Sequence, residues 1–139
     1  ICTPPATVAG LITELAAKLT PVAPVRTGRA ALETTGAALP VITIWNQSDT
    51  PTPDQAYCSP SYRRALQIEI KFAADASFDV AMNDYLSAVR TALKPVVGEF
   101  PLKNVVGMRE TGVAFLYPAD NGSTAAIQIS IEFDYLEFF

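Results

Sequence analysis

The chain has 139 residues, half of them apolar and 17% charged, with a net charge of −4. At this length roughly two thirds of the unfolded surface is buried on folding, so one hydrophobic core and one domain spanning 1–139 are expected. The acidic balance disfavours nucleic-acid binding, which draws its affinity from Lys and Arg neutralising phosphates, and the lack of any histidine removes the commonest general base and metal ligand.

The opening residues, Ile1-Cys2-Thr3-Pro4-Pro5, lack the charged start and apolar stretch of a signal peptide, so synthesis in the cytoplasm is the expectation. No apolar run reaches the roughly 18 residues that cross a bilayer; the candidate at 105–117 is broken by Gly107, Arg109, Glu110 and Gly112. Cys2 and Cys58 are the only cysteines, too few for a zinc site of ordinary ligand count, and read as two isolated thiols.

A first helix is predicted from Thr7 as cap through Val8, Leu11, Ile12, Leu15 and Leu19, which recur at helical spacing until Pro21 stops it. Residues 21–39 carry Pro21, Pro24, Gly28 and Gly36 and read as an irregular arm or edge strand. Val41-Ile42-Thr43-Ile44-Trp45 is rich in β-branched residues and reads as a strand with Ile42 and Ile44 inward and Trp45 outward. Pro51, Pro53 and Pro60 among polar residues predict a long loop over 46–60.

From Tyr62 a second strand alternates Leu66, Ile68, Ile70 and Phe72 with Gln67, Glu69 and Lys71. Asp75 or Ser77 caps a second helix whose stripe is Phe78, Ala81, Met82, Tyr85, Val89 and Leu93, ended by Pro95. After a wandering segment holding Gly98, Pro101 and Gly107, residues 112–117 form a strand, and Asn121-Gly122 supplies turn chemistry for a hairpin. The last strand alternates Ile127, Ile129, Ile131, Phe133 and Tyr135 with Gln128, Ser130, Glu132 and Asp134. The order α-β-β-α-β-β predicts an α+β fold, a mainly antiparallel, mixed sheet of about four to five strands with two helices packed on one face.

The sequence offers little chemistry. Val25-Arg26-Thr27-Gly28-Arg29 has one glycine and no P-loop lysine, and no glycine-rich dinucleotide loop follows a strand. The carboxylate pairs Asp79 with Asp84 and Glu132 with Asp134 are the remaining candidates for acid–base or metal chemistry, and both suit a solvated surface better. The expectation is therefore a protein that is not an enzyme, with no cofactor, no metal and no catalytic residue. Two features suit interfaces instead. Trp45 either meets a partner or covers the end of the core, and the terminal Phe138-Phe139 either dock on the chain's own core or insert against a neighbouring subunit.

The helix over 8–19, the strand Ile42-Thr43-Ile44-Trp45 with its polar loop, Ala65-Leu66-Gln67-Ile68-Glu69-Ile70-Lys71-Phe72 leading into the helix over 77–93, and the closing strand Ala125-Ala126-Ile127-Gln128-Ile129-Ser130-Ile131-Glu132-Phe133 together resemble the tail terminator proteins of long-tailed bacteriophages, the lambda-type and Mu-like minor tail proteins. The resemblance covers nearly the whole chain and lies in the order of elements rather than in a fixed motif. It implies a virion subunit, made in the host cytoplasm, that forms a hexameric ring at the head-proximal end of the tail. Such a ring caps the tube, halts polymerisation of the major tail protein and receives the head–tail connector, while DNA passes through without specific binding. On that basis Glu69, Glu132 and Asp134 are candidates for lining the DNA channel, where carboxylates repel phosphates. Trp45, Asp49, Asp54, Phe138 and Phe139 are candidates for contacts with other subunits or the tube. The nearest alternative is another head–tail connector or tail completion protein; a small-ligand module with Trp45, Tyr57 and Tyr62 around a pocket is the other.

Overall fold

The computed structural model describes residues 8–26, 39–52, 61–74, 77–94, 105–118 and 123–136. Its elements are α1 (Val8–Leu19), β1 (Val25–Arg26), β2 (Val41–Pro51), β3 (Ser61–Ala73), α2 (Phe78–Ala92), β4 (Val105–Leu116) and β5 (Thr124–Leu136). The α+β expectation holds: a mixed five-stranded sheet in the order β1-β2-β3-β5-β4 carries both helices, and β1 is a short addition to the predicted order. Every neighbouring pair is antiparallel except β1 with β2, which run parallel through Val25↔Ile42 and Arg26↔Thr43.

Cross-strand register sets the core. Ile42, Ile70, Ile127 and Phe115 share one row, and Ile44, Ile68, Ile129 and Val113 the next on the same face. Successive side chains of a strand point to opposite faces, so these rows put the apolar halves of β2, β3 and β5 on one side. Ile42, Leu66, Ile68, Ile70 and Ile127 are fully buried there. Leu15 and Leu19 of α1 and Met82, Leu86 and Val89 of α2 join the same cluster. Each buried Leu or Ile contributes about 1.5–3 kcal/mol, so this helix-covered face dominates the stability. Ile42 and Ile44 point inward and Trp45 outward, as the alternation predicts.

Two parts of the chain differ from the sequence expectations. The loop expected over 46–60 begins later, because β2 continues through Asn46, Ser48, Asp49 and Thr50 to Pro51, paired with Leu66, Ala65, Arg64, Arg63 and Tyr62 of β3. Its polar residues hide a strand because they are exposed from Asn46 to Pro51 and show no apolar alternation, and a bulge between Asn46 and Ser48 breaks the register. Residues 53–60 lie outside the described residues. The strand expected over 112–117 likewise starts at Val105, where the sequence suggested an irregular segment. Two bulges, between Val105 and Gly107 and between Glu110 and Gly112, twice shift which residues face the core. Of the arm over 21–39, Val25–Arg26 is the edge strand and 27–38 lie outside the described residues, as do Thr7 and the Asn121-Gly122 turn.

Candidate functional site

The face of the sheet away from the helices gathers most of the expected charged residues. Glu69 on β3 and Glu132 and Asp134 on β5 all lie on it. The face is polar but not acidic, since each carboxylate has a cation nearby. Arg63 on β3 binds Asp134 in a fork, Nε to Oδ1 at 2.8 Å and Nη2 to Oδ2 at 3.3 Å. Arg109 on β4 donates from Nε and Nη2 to Glu132 Oε2 at 3.0 and 2.7 Å, and lies 3.7 Å from Asp134. Glu69, only 8% exposed, accepts from Gln128 Nε2 at 2.8 Å and stands 3.7 Å from Lys71 Nζ. Arg63 holds the Asp134 carboxyl below its ordinary value, by hydrogen bond first and by charge as well, against a burial effect in the opposite direction. Three carboxylates and three cations thus alternate over β3, β5 and β4.

Asp49, expected in a loop, belongs to β2 and turns to the other face. Its carboxylate binds Arg64 Nη2 at 2.7 Å and accepts the Tyr135 hydroxyl at 2.5 Å. Arg64 also donates from Nη1 to Asn46 at 3.0 Å. Burial, and then the Asp49 hydrogen bond, push the Tyr135 phenol up to about 12. This group sits on the core face of the sheet, in the rows of Ile131, Phe133 and Tyr135. Trp45 shares the row Trp45–Gln67–Ser130–Gly112 on the polar face and is half-buried. Tyr62 packs against Tyr135 on the opposite face, with ring centroids 5.9 Å apart, so Trp45 and Tyr62 do not line a common pocket. Asp54, Tyr57, Phe138 and Phe139 lie outside the described residues.

Asp79 and Asp84 stand exposed on α2, and among the described residues no group of three Cys, Asp or Glu side chains is close enough to hold a metal ion. A cleft of about 240 Å³ separates α2 from β4 and β5, floored by Val89, Leu93, Met108 and Ile129 and rimmed by Lys94 and a forked Arg90–Glu110 pair at 2.9 and 2.7 Å.

Sequence reasoning placed a strand over 112–117 but did not single out its end as a contact surface. Phe115, Leu116 and Tyr117 are 40%, 42% and 65% exposed, and Tyr117 stacks edge-on against Phe78 of α2. A signal for them was present: the unbroken apolar run Val113-Ala114-Phe115-Leu116-Tyr117 puts apolar groups on both faces, which a strand with one solvated face does not need. No protein-family model matches this chain, and no curated protein does.

Proposed function

We propose that the protein is a structural virion subunit that closes into a ring of about six copies, caps the tail tube of a long-tailed phage, ends tube polymerisation and provides the surface to which the head connector binds. One observation carries the assembly part of this reading: among the described residues the sheet ends in a twelve-residue edge strand, β4, at whose end Phe115, Leu116 and the following Tyr117 are exposed. Unpaired edges and clustered apolar groups are what a monomer hides and an assembling subunit uses. The terminator role itself rests on the resemblance in the order of elements.

In this reading the helix-free face lines the channel. Its carboxylates and cations satisfy one another, so DNA phosphates meet a polar wall that binds them weakly and slides past them. The partners are further copies of the chain, the major tail tube protein and the head–tail connector. The test is to add the purified protein to growing tail tubes and image the ends by electron microscopy. The proposal expects density at one end only and an arrest of elongation; tubes that keep growing with bare ends would refute the terminator role. Binding to the connector but not to the tube would mark another completion protein instead.

A further inference from the structure

We propose that copies of this chain join head to tail by antiparallel pairing of β4 of one copy with the outer edge of β2 of the next, extending each sheet into its neighbour. This rests on the self-assembly part of the reading above and names the surfaces that carry it.

The sheet has two unlike edges. Among the described residues β4 pairs with β5 alone, and β1 covers only Ile42 and Thr43 of β2, which leaves β2 from Ile44 to Pro51 unpaired on its outer side. Bulges at Asn46/Ser48, Val105/Gly107 and Glu110/Gly112, with Pro51 at the end of β2, blunt parts of both edges. They leave Val41–Trp45 of β2, together with β1 beside it, and Gly112–Leu116 of β4 as the regular stretches open to a neighbour. Neither strand contains a lysine. The charged residues they do contain are engaged within the chain: Arg109 with Glu132, Glu110 with Arg90, and Asp49 with Arg64 and Tyr135.

Strand direction and level both favour the head-to-tail join. From β2 to β3 to β5 to β4 the chain reverses at each step, so β4 runs opposite to β2. A rotation about a ring axis changes neither the direction nor the height of a strand that runs along that axis. The β4 edge of one copy therefore meets the β2 edge of the next in antiparallel orientation, the geometry that hydrogen-bonds well. Joined level for level, the exposed tip Phe115–Leu116–Tyr117 comes beside Val25 and Leu39, because Val25 shares a row with Phe115 and Val41 shares one with Leu116. Leu39, just before Val41, is itself 41% exposed.

In the same alignment Trp45 stands beside Gly112 of the neighbouring copy. A side chain at Gly112 would meet nothing within 4 Å, and an aromatic ring laid over an edge glycine is a recognised way of stabilising a sheet. A full-length twofold pairing of β4 with itself would also be antiparallel. It would set each apolar tip against the Gly107 end of the other strand and leave the β2 edge open.

The two arrangements separate in a mixing experiment. Leu116→Lys with Tyr117→Lys blocks the β4 edge, and Leu39→Lys with Gln47→Lys blocks the β2 edge. Circular dichroism and thermal melting first establish that each variant keeps the native fold; one that does not is replaced by the single substitution Tyr117→Lys or Gln47→Lys. The proposal expects each variant to be monomeric by light scattering, and their equimolar mixture to give a heterodimer of twice the mass and nothing larger, through the one intact pair of edges. A β2-edge variant that still dimerises alone, a mixture that stays monomeric, or a wild-type protein that never self-associates would overturn it. A heterodimer together with wild-type rings that ignore tail tubes would keep this interface and remove the terminator role.

Discussion

Tyr135, near the end of β5, donates its hydroxyl hydrogen to Asp49 on β2 at 2.5 Å, so two strands separated by β3 are tied on the core face of the sheet. Tyr135 as a whole is 1% exposed, and its hydroxyl reaches the polar group formed by Asp49, Arg64 and Asn46. Tyr135→Phe removes the hydrogen bond and leaves the Asp49–Arg64 pair, so a loss of about 1.5 kcal/mol is expected in urea unfolding, typical of a hydrogen bond to a charged partner. The pH dependence has a definite sign. The folded phenol is raised from 10.0 to about 12, so its contribution is complete below pH 10 and is lost as the pH rises toward about 12. Ultraviolet titration should show a tyrosine that ionises well above the ordinary value of 10.0, and Tyr135→Phe should remove that phase.

The Arg63–Asp134 fork makes a separate prediction at the acid end. Asp134 is held below its ordinary value of 3.8. The stability it contributes is therefore present above that value and lost as the pH falls through the lower folded one. Arg63→Gln should return the Asp134 carboxyl toward its ordinary value in an NMR titration. Because Arg63 is 43% exposed, the accompanying change in stability should be small and weakened by salt.

Ile68 and Ile129 face each other across the central pair of strands, and both are buried. Ile129→Ala should cost about 2–5 kcal/mol in denaturant unfolding, through lost transfer energy and the cavity left behind. A cost well under that range would mean that α2 does not press on this part of the sheet.

Charge reversal at Glu132 probes the channel assignment. Glu132→Lys places a cation beside Arg109, which lies 2.7 Å from the carboxylate it would lose, and turns a balanced face basic. Rings should still form, while DNA should bind the channel wall in low salt and leave the particle more slowly. Unchanged DNA ejection from phage carrying the substitution would count against this face lining the channel.

The core was legible in the sequence because Leu66, Ile68 and Ile70, and Ile127, Ile129 and Ile131, each alternate without interruption, and because Leu15 and Leu19 repeat at helical spacing. The hidden parts share one cause. Bulges at Asn46/Ser48, Val105/Gly107 and Glu110/Gly112 shift the alternation, and the residues of β2 beyond Trp45 are exposed and carry no apolar period of their own. The carboxylates Glu132 and Asp134 were found on their shared face. Their partners Arg63 and Arg109 were not, because which residues sit side by side depends on register between strands far apart in sequence, and the spacing within one strand carries no record of it. Asp49 and Trp45 were singled out as contact residues for a loop and a strand end. Both belong to one continuous strand, with Asp49 engaged inside the fold and Trp45 turned to the polar face.

The central claim is assembly into a ring, and the mass of the purified protein in solution tests it most directly. Light scattering coupled to size-exclusion chromatography, over a range of protein and salt concentrations and followed by negative-stain imaging, should give a closed ring of about six subunits. A species that remains a monomer or stops at a twofold dimer under every condition would contradict the account.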